Sequence, residues 1–296
     1  MINNNQINNR PSLIQTIGAV LTAGVMWGSA NVIIRSLLIE GLNEIFLVTV
    51  RVSIIGTLLF FYYVIFNKEK FNKQLLKEAS FTGLASIFFV SWAFIFSLQY
   101  ISSGSAPIFT VMWVKLILKE EKISKLKYLS VLIGFSGIAY LFISQETGLL
   151  NQGNIFLGGT LAFLGVQCIA LATVLNRKFA PKYKVSSWLT YQYPLVIILT
   201  FLTYLISGVG IDILNVSQLI RLGALVVCNL GAFLSFTWLI QRVSALQVAS
   251  IDYLVPVVGV TAGVIFLGET FNRNILICSI FIFVSLLLTT KDEFSN

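Results

Sequence analysis

The chain has 296 residues, of which 57% are hydrophobic and 11% charged, and its mean hydropathy is +0.88. That balance excludes an ordinary soluble domain, in which roughly a quarter of residues carry charge. Histidine is absent, which excludes Ser-His catalysis, histidine metal sites and the commonest proton shuttle.

Residues 1–12 are polar and Asn-rich, with one arginine. They lack the short apolar core and small-residue cleavage site of a signal peptide, so the first apolar run is expected to stay in the mature protein. Ten apolar runs follow, at roughly 13–37, 44–66, 79–100, 104–118, 126–144, 154–178, 186–207, 218–241, 245–267 and 274–290. A run of 18 or more such residues can cross ~30 Å of hydrocarbon as a helix. The expected fold is therefore an all-α integral membrane protein with ten transmembrane helices, forming one integral membrane domain over residues 1–296.

Charge placement gives the orientation. Lys68, Lys70, Lys73 and Lys77 follow the second run, Lys119, Lys122, Lys125 and Lys127 the fourth, and Arg177, Lys178, Lys182 and Lys184 the sixth. The loops after the first, third and fifth runs contain neither Lys nor Arg. This alternation predicts cytoplasmic loops at 67–78, 119–126 and 177–185, outward loops at 145–153 and 208–217, and both termini in the cytoplasm. The net charge of +8 is thus topological, and nucleic acid is not an expected partner. Cys168, Cys228 and Cys278 lie in different runs without paired spacing. Small apolar packing roles fit them better than a disulfide or metal site. No cofactor is expected.

The two halves repeat. At an offset of 141, Gly18 aligns with Gly159, Gly24 with Gly165, Val25 with Val166 and Thr49 with Thr190, while Arg51 falls opposite Gln192. The offset drifts to 142 for Gln99 and Gln241 and for Ser102 and Ser244, and to 148 for Glu121 and Glu269. Residues 1–144 and 145–296 then each hold five runs. An odd number forces the halves to cross the bilayer in opposite directions. An inverted repeat with a site at its seam is a common secondary-transporter plan.

Trp27-Gly28-Ser29-Ala30-Asn31, Arg51, and the stretch 256–269 closing in Leu267-Gly268-Glu269 add to this architecture. Together they resemble the EamA-type members of the drug/metabolite transporter superfamily, over nearly the whole chain. The resemblance implies a ten-helix fold and export or exchange of small metabolites across the plasma membrane by alternating access. Amino acids are one substrate class by that analogy. One departure is large. Ser102 to Glu121 is 19 residues, against 25 from Ser244 to Glu269. The fourth run, at 104–118, is accordingly short, ~22 Å at 1.5 Å per residue, which keeps open a non-transporting structural or regulatory role. A membrane-embedded enzyme is a weaker alternative, because general acid/base chemistry wants several convergent groups.

Charges inside a bilayer are costly and tend to face the bundle interior. Lys115 is close enough to the cytoplasmic end to snorkel. Arg51 and Asp252 are deeper, and Pro256 should free the Asp252 carbonyl four residues earlier. These two are candidates for contact with a substrate, and Asp252 for contact with a proton as coupling ion. A structural Arg51–Asp252 bridge is the alternative. Trp27, Asn31, Gln99, Gln167, Tyr191, Gln192 and Tyr253 are further substrate-binding candidates, each with packing or interfacial anchoring as the competing role.

Overall fold

The computed structural model describes residues 11–67, 69–100, 155–243 and 251–268, with scattered positions at 126–140, at 248 and at 273–288. The fourth run, with Lys115 and the short-helix expectation, lies outside the described residues.

The regular structure among the described residues is helical: α1 Leu13–Ile39, α2 Glu44–Phe66, α3 Lys73–Gly83, a π-helical turn Leu84–Phe89, α4 Val90–Tyr100, α5 Ile155–Phe179, a 3₁₀ turn Ala180–Lys182, α6 Val185–Ser207, α7 Val216–Ile240 and α8 Ile251–Leu267. Polar residues set the starts. Ser12 and Gln15 form a capping box on α1, and Asn215 and Gln218 form one on α7. Asn43 and Asn72 cap α2 and α3. Each cap satisfies amides that the first turn leaves without partners. Gly208, at φ 66°, ends α6 in the left-handed conformation that only glycine takes at little cost. The predicted third run begins six residues early, at Lys73. Its opening turns carry charge on the solvated side, so hydropathy hides a start that the Asn72 cap defines.

Among the described residues, six helical stretches are long and apolar enough to cross a membrane: Ile14–Ile39, Glu44–Phe66, Lys73–Leu98, Phe156–Lys182, Val185–Ser207 and Val216–Ile240. Large apolar side chains such as Ile206 and Phe266 stand 85% and 76% exposed, as a lipid-facing surface requires. The loop at 40–43 meets the loop before α7 at one end, where Asn43 donates its backbone N–H to Asp212 at 2.9 Å and Glu40 pairs with Arg221 at 2.5 Å. At the opposite end Asn67 donates to Ser186 at 2.7 Å, Lys184 pairs with Glu69 at 2.8 Å, and Gln241 donates to the Ala180 carbonyl at 2.9 Å. Following the chain between these ends, α1, α2 and α3–α4 run opposite to α5, α6 and α7 respectively. The inverted repeat is therefore present in three helices of each half.

The seam between halves is reciprocal. Thr49 of α2 donates its hydroxyl to the Ile45 carbonyl at 2.8 Å and sets it 3.4 Å from the Thr200 carbonyl across the seam, and its repeat-mate Thr190 stands 3.2 Å from the Leu59 carbonyl, to which it donates. The positions 59 and 200 are themselves 141 apart, so this is one contact used twice about a pseudo-two-fold axis. Elsewhere α1 packs on α7 and α8, and α4 on α5. Missing side chains permit the close approaches: a Cβ on Gly28 would stand 3.0 Å from the Val255 carbonyl, and one on Gly83 only 2.4 Å from that of Gln192.

Candidate binding site at the seam of the two halves

Arg51 lies in the second turn of α2 and is 8% exposed. Its Nη2 donates to Ser91 Oγ of α4 at 2.6 Å and its Nη1 to Asn229 Oδ1 of α7 at 3.5 Å. Asn229 is itself held by donating to the Leu225 carbonyl at 2.9 Å, one turn back on its own helix. The guanidinium thus joins α2 and α4 of the first half to α7 of the second. Among the described residues Nε has no hydrogen-bond partner, and neither has the hydroxyl of Tyr193 on α6, 1% exposed and within electrostatic reach of the guanidinium.

Gln192, the repeat-mate of Arg51, is 2% exposed and accepts from Ser86 at 2.9 Å. Ser86 lies in the π turn and Ser91 just beyond it. In a regular α-helix, residues five apart point ~140° away from each other. A π turn, with its i→i+5 bonding, brings such positions toward one face. Both members of the repeat pair are held by serines of this single helix. On α6, the exposed Pro194 removes the bond that the Thr190 carbonyl would otherwise receive. Gln192 lies in that loosened turn, with its side chain on Ser86 of the π turn.

The other expected residues distribute differently. Trp27 packs edge-on against Phe233 at 5.7 Å and tilted against Phe236 at 5.4 Å. Phe233 is one turn from Asn229, so Trp27 stands behind the Arg51 cluster rather than on it. Gln167 on α5 has a buried Nε2 without a partner among the described residues. Asn31 is half-buried in α1. Tyr191 is removed from the cluster: its hydroxyl lies 3.3 Å from that of Tyr63, and it packs with Leu75, Ala79 and Trp188 toward the lysine-rich end. Gln99 lies in α4, and Asp252 and Tyr253 in α8; their side chains are outside the described residues. Arg51 takes neutral partners, so no carboxylate pairs with it among the described residues.

Sequence reasoning missed Ser86, Ser91, Tyr193 and Asn229. It also missed Arg35, which is fully buried and donates Nη1 to the Leu98 carbonyl. A signal for Arg35 existed. At the offset of 142 its mate is Arg177, which donates to the Val243 carbonyl at 3.3 Å. In each half an arginine near the end of the first helix reaches carbonyls near the end of the third.

Two antiparallel sets of apolar helices around a buried polar cluster define a membrane-transport class of fold. The chain belongs to the EamA-like transporter family, whose profile matches residues 14–143 and again 156–291. The two matches begin 142 residues apart, the offset read from the repeat. The chain is 24% identical over 205 residues to an uncharacterized transporter, YcxC, of Bacillus subtilis (strain 168). That alignment covers 59% of this chain and 60% of the relative's length. A solved crystal structure shares the fold over 90% of this chain and 98% of its own, at TM-score 0.66 and 15% identity.

Proposed function

We propose that the chain is a secondary transporter of a small metabolite such as an amino acid, working by alternating access in the plasma membrane with both termini cytoplasmic. Its site is the seam cluster of Arg51, Ser91, Tyr193, Asn229 and Gln192, with Trp27, Asn31 and Gln167 around it. The observation that carries this reading is a buried guanidinium joining both halves at their pseudo-two-fold seam. Charge in such a place is expensive and is retained where it acts on something. Rocking one half against the other would break and remake those bonds while the cluster faces alternate sides. Asp252 is the proposed proton-coupling group, and the lipid bilayer is the protein's other partner.

Uptake and efflux of a labelled metabolite panel, in cells with and without the protein, tests this directly. A cargo whose flux depends on the protein is expected, and Arg51→Gln should reduce that flux at least about tenfold, near 1.4 kcal/mol, with membrane expression near normal. This substitution installs the residue found at the mate position, which the fold already packs. A flux that Arg51→Gln leaves unchanged refutes the site.

A further inference from the structure

We infer that Arg51, Ser91 and Tyr193 form a receptor for a carboxylate, so that the cargo is a small organic acid whether or not it also carries an amine. This rests on the transport reading only for the place of the site. The argument is a count of unspent hydrogens. A guanidinium offers five N–H donors and no acceptor. One hydrogen on Nη1 and one on Nη2 have neutral acceptors in Asn229 and Ser91, while the Nε hydrogen has none among the described residues. Ser91 Oγ accepts from Arg51, and its own hydrogen is left to give. The Tyr193 hydroxyl, buried, has no partner among the described residues.

A buried donor left unmade costs about 1–3 kcal/mol, and more when it is charged. An occupant that relieves all three must accept, carry negative charge and fit a planar fork. A carboxylate does this, with a lone pair for each donor and the geometry a guanidinium matches. An ammonium or primary amide would bring further donors to a site that already has too many. Trp92 and Phe233 pack around the same apolar cluster as Tyr193, which suits an apolar remainder on the acid.

The test is equilibrium binding to the purified full-length chain in lipid nanodiscs. The probes are leucine and phenylalanine, their desamino acids 4-methylpentanoate and 3-phenylpropanoate, and the amides leucinamide and phenylalaninamide. Saturable binding is expected for acids with and without the amine, and binding at least about tenfold weaker for the amides. Arg51→Gln should abolish acid binding. Tyr193→Phe, which keeps the ring and removes the hydroxyl, should weaken it about tenfold and decides the matter if the arginine variant fails to fold. The receptor is overturned if no acid binds saturably, if amides bind as tightly as acids, or if acid binding survives Tyr193→Phe unchanged. Proteoliposome flux separates the two readings. Acids that bind without being moved uphold the receptor and sink the transporter. Flux of amides without acid binding does the reverse.

Discussion

At the residue scale, the site depends on small neutral groups that hold one charge in place. Asn229 is the clearest example: it is 4% exposed, accepts from Arg51, and is braced by the Leu225 carbonyl. Asn229→Leu keeps the volume but strands a charged donor, so a loss of about 1–3 kcal/mol is expected, read as a lower melting temperature in detergent. A second residue-scale prediction concerns pH. Hydrogen bonds from Lys184, and then from Ser187, hold the Glu69 carboxyl below the usual carboxylate range. A group depressed in this way stabilises the fold above its unfolded pKa, and the contribution is lost as pH falls through the folded value. The pair is partly exposed, so its worth is below about 1 kcal/mol. The melting difference between parent and Glu69→Gln should be present at pH 7 and shrink on acidification below the ordinary carboxylate pKa. A difference that grows on acidification refutes the pairing. Arg51 was legible because a charge interrupts an apolar run. Ser91, Tyr193 and Asn229 were not, because such residues are ordinary in membrane helices, and α2 and α4 are apolar all round. With no polar face, periodicity cannot say which side points inward, so it does not separate Tyr191, which meets Tyr63, from Tyr193, which neighbours the charge.

At the element scale, close helix approach is bought with glycine at some positions and not at others. Gly83→Ala would drive a Cβ to 2.4 Å from the Gln192 carbonyl, backbone that cannot swing aside, whereas Gly18 has nothing within 4 Å. The first change should destabilise by about 1–3 kcal/mol and the second should be neutral or stabilising by up to ~1 kcal/mol. Equal melting temperatures for the two variants would show that the α3–α6 approach is looser than described. Gly18 lies in the apolar α1 and Gly83 closes the amphipathic α3, and neither setting marks which glycine has a close neighbour. What separates them is the neighbour, which a single chain read alone does not supply. The π turn was invisible for a related reason: Leu84–Phe89 is apolar apart from Ser86, so one surplus residue per turn leaves no trace in its pattern.

At the scale of the whole molecule, the repeat, its inversion and the helix directions were readable because hydropathy and loop charge are sums over many residues. The described lysine-rich loops, around Lys70 and around Lys182 and Lys184, gather at one end, with Glu40 and Asp212 at the other. A cysteine at position 182, in a background without Cys168, Cys228 and Cys278, should react with an impermeant reagent only after the cells are opened. Labelling from outside intact cells would reverse the orientation. The reciprocal threonine contacts carry a further consequence. A body with a two-fold axis in the membrane plane looks the same when turned upside down, so its two mouths are equivalent wherever the halves agree. Any preference for one side must then reside where they disagree. Among the described residues of the seam, Arg51 against Gln192 is one such difference, and on the transport reading proposed above it is where a preferred direction would be set.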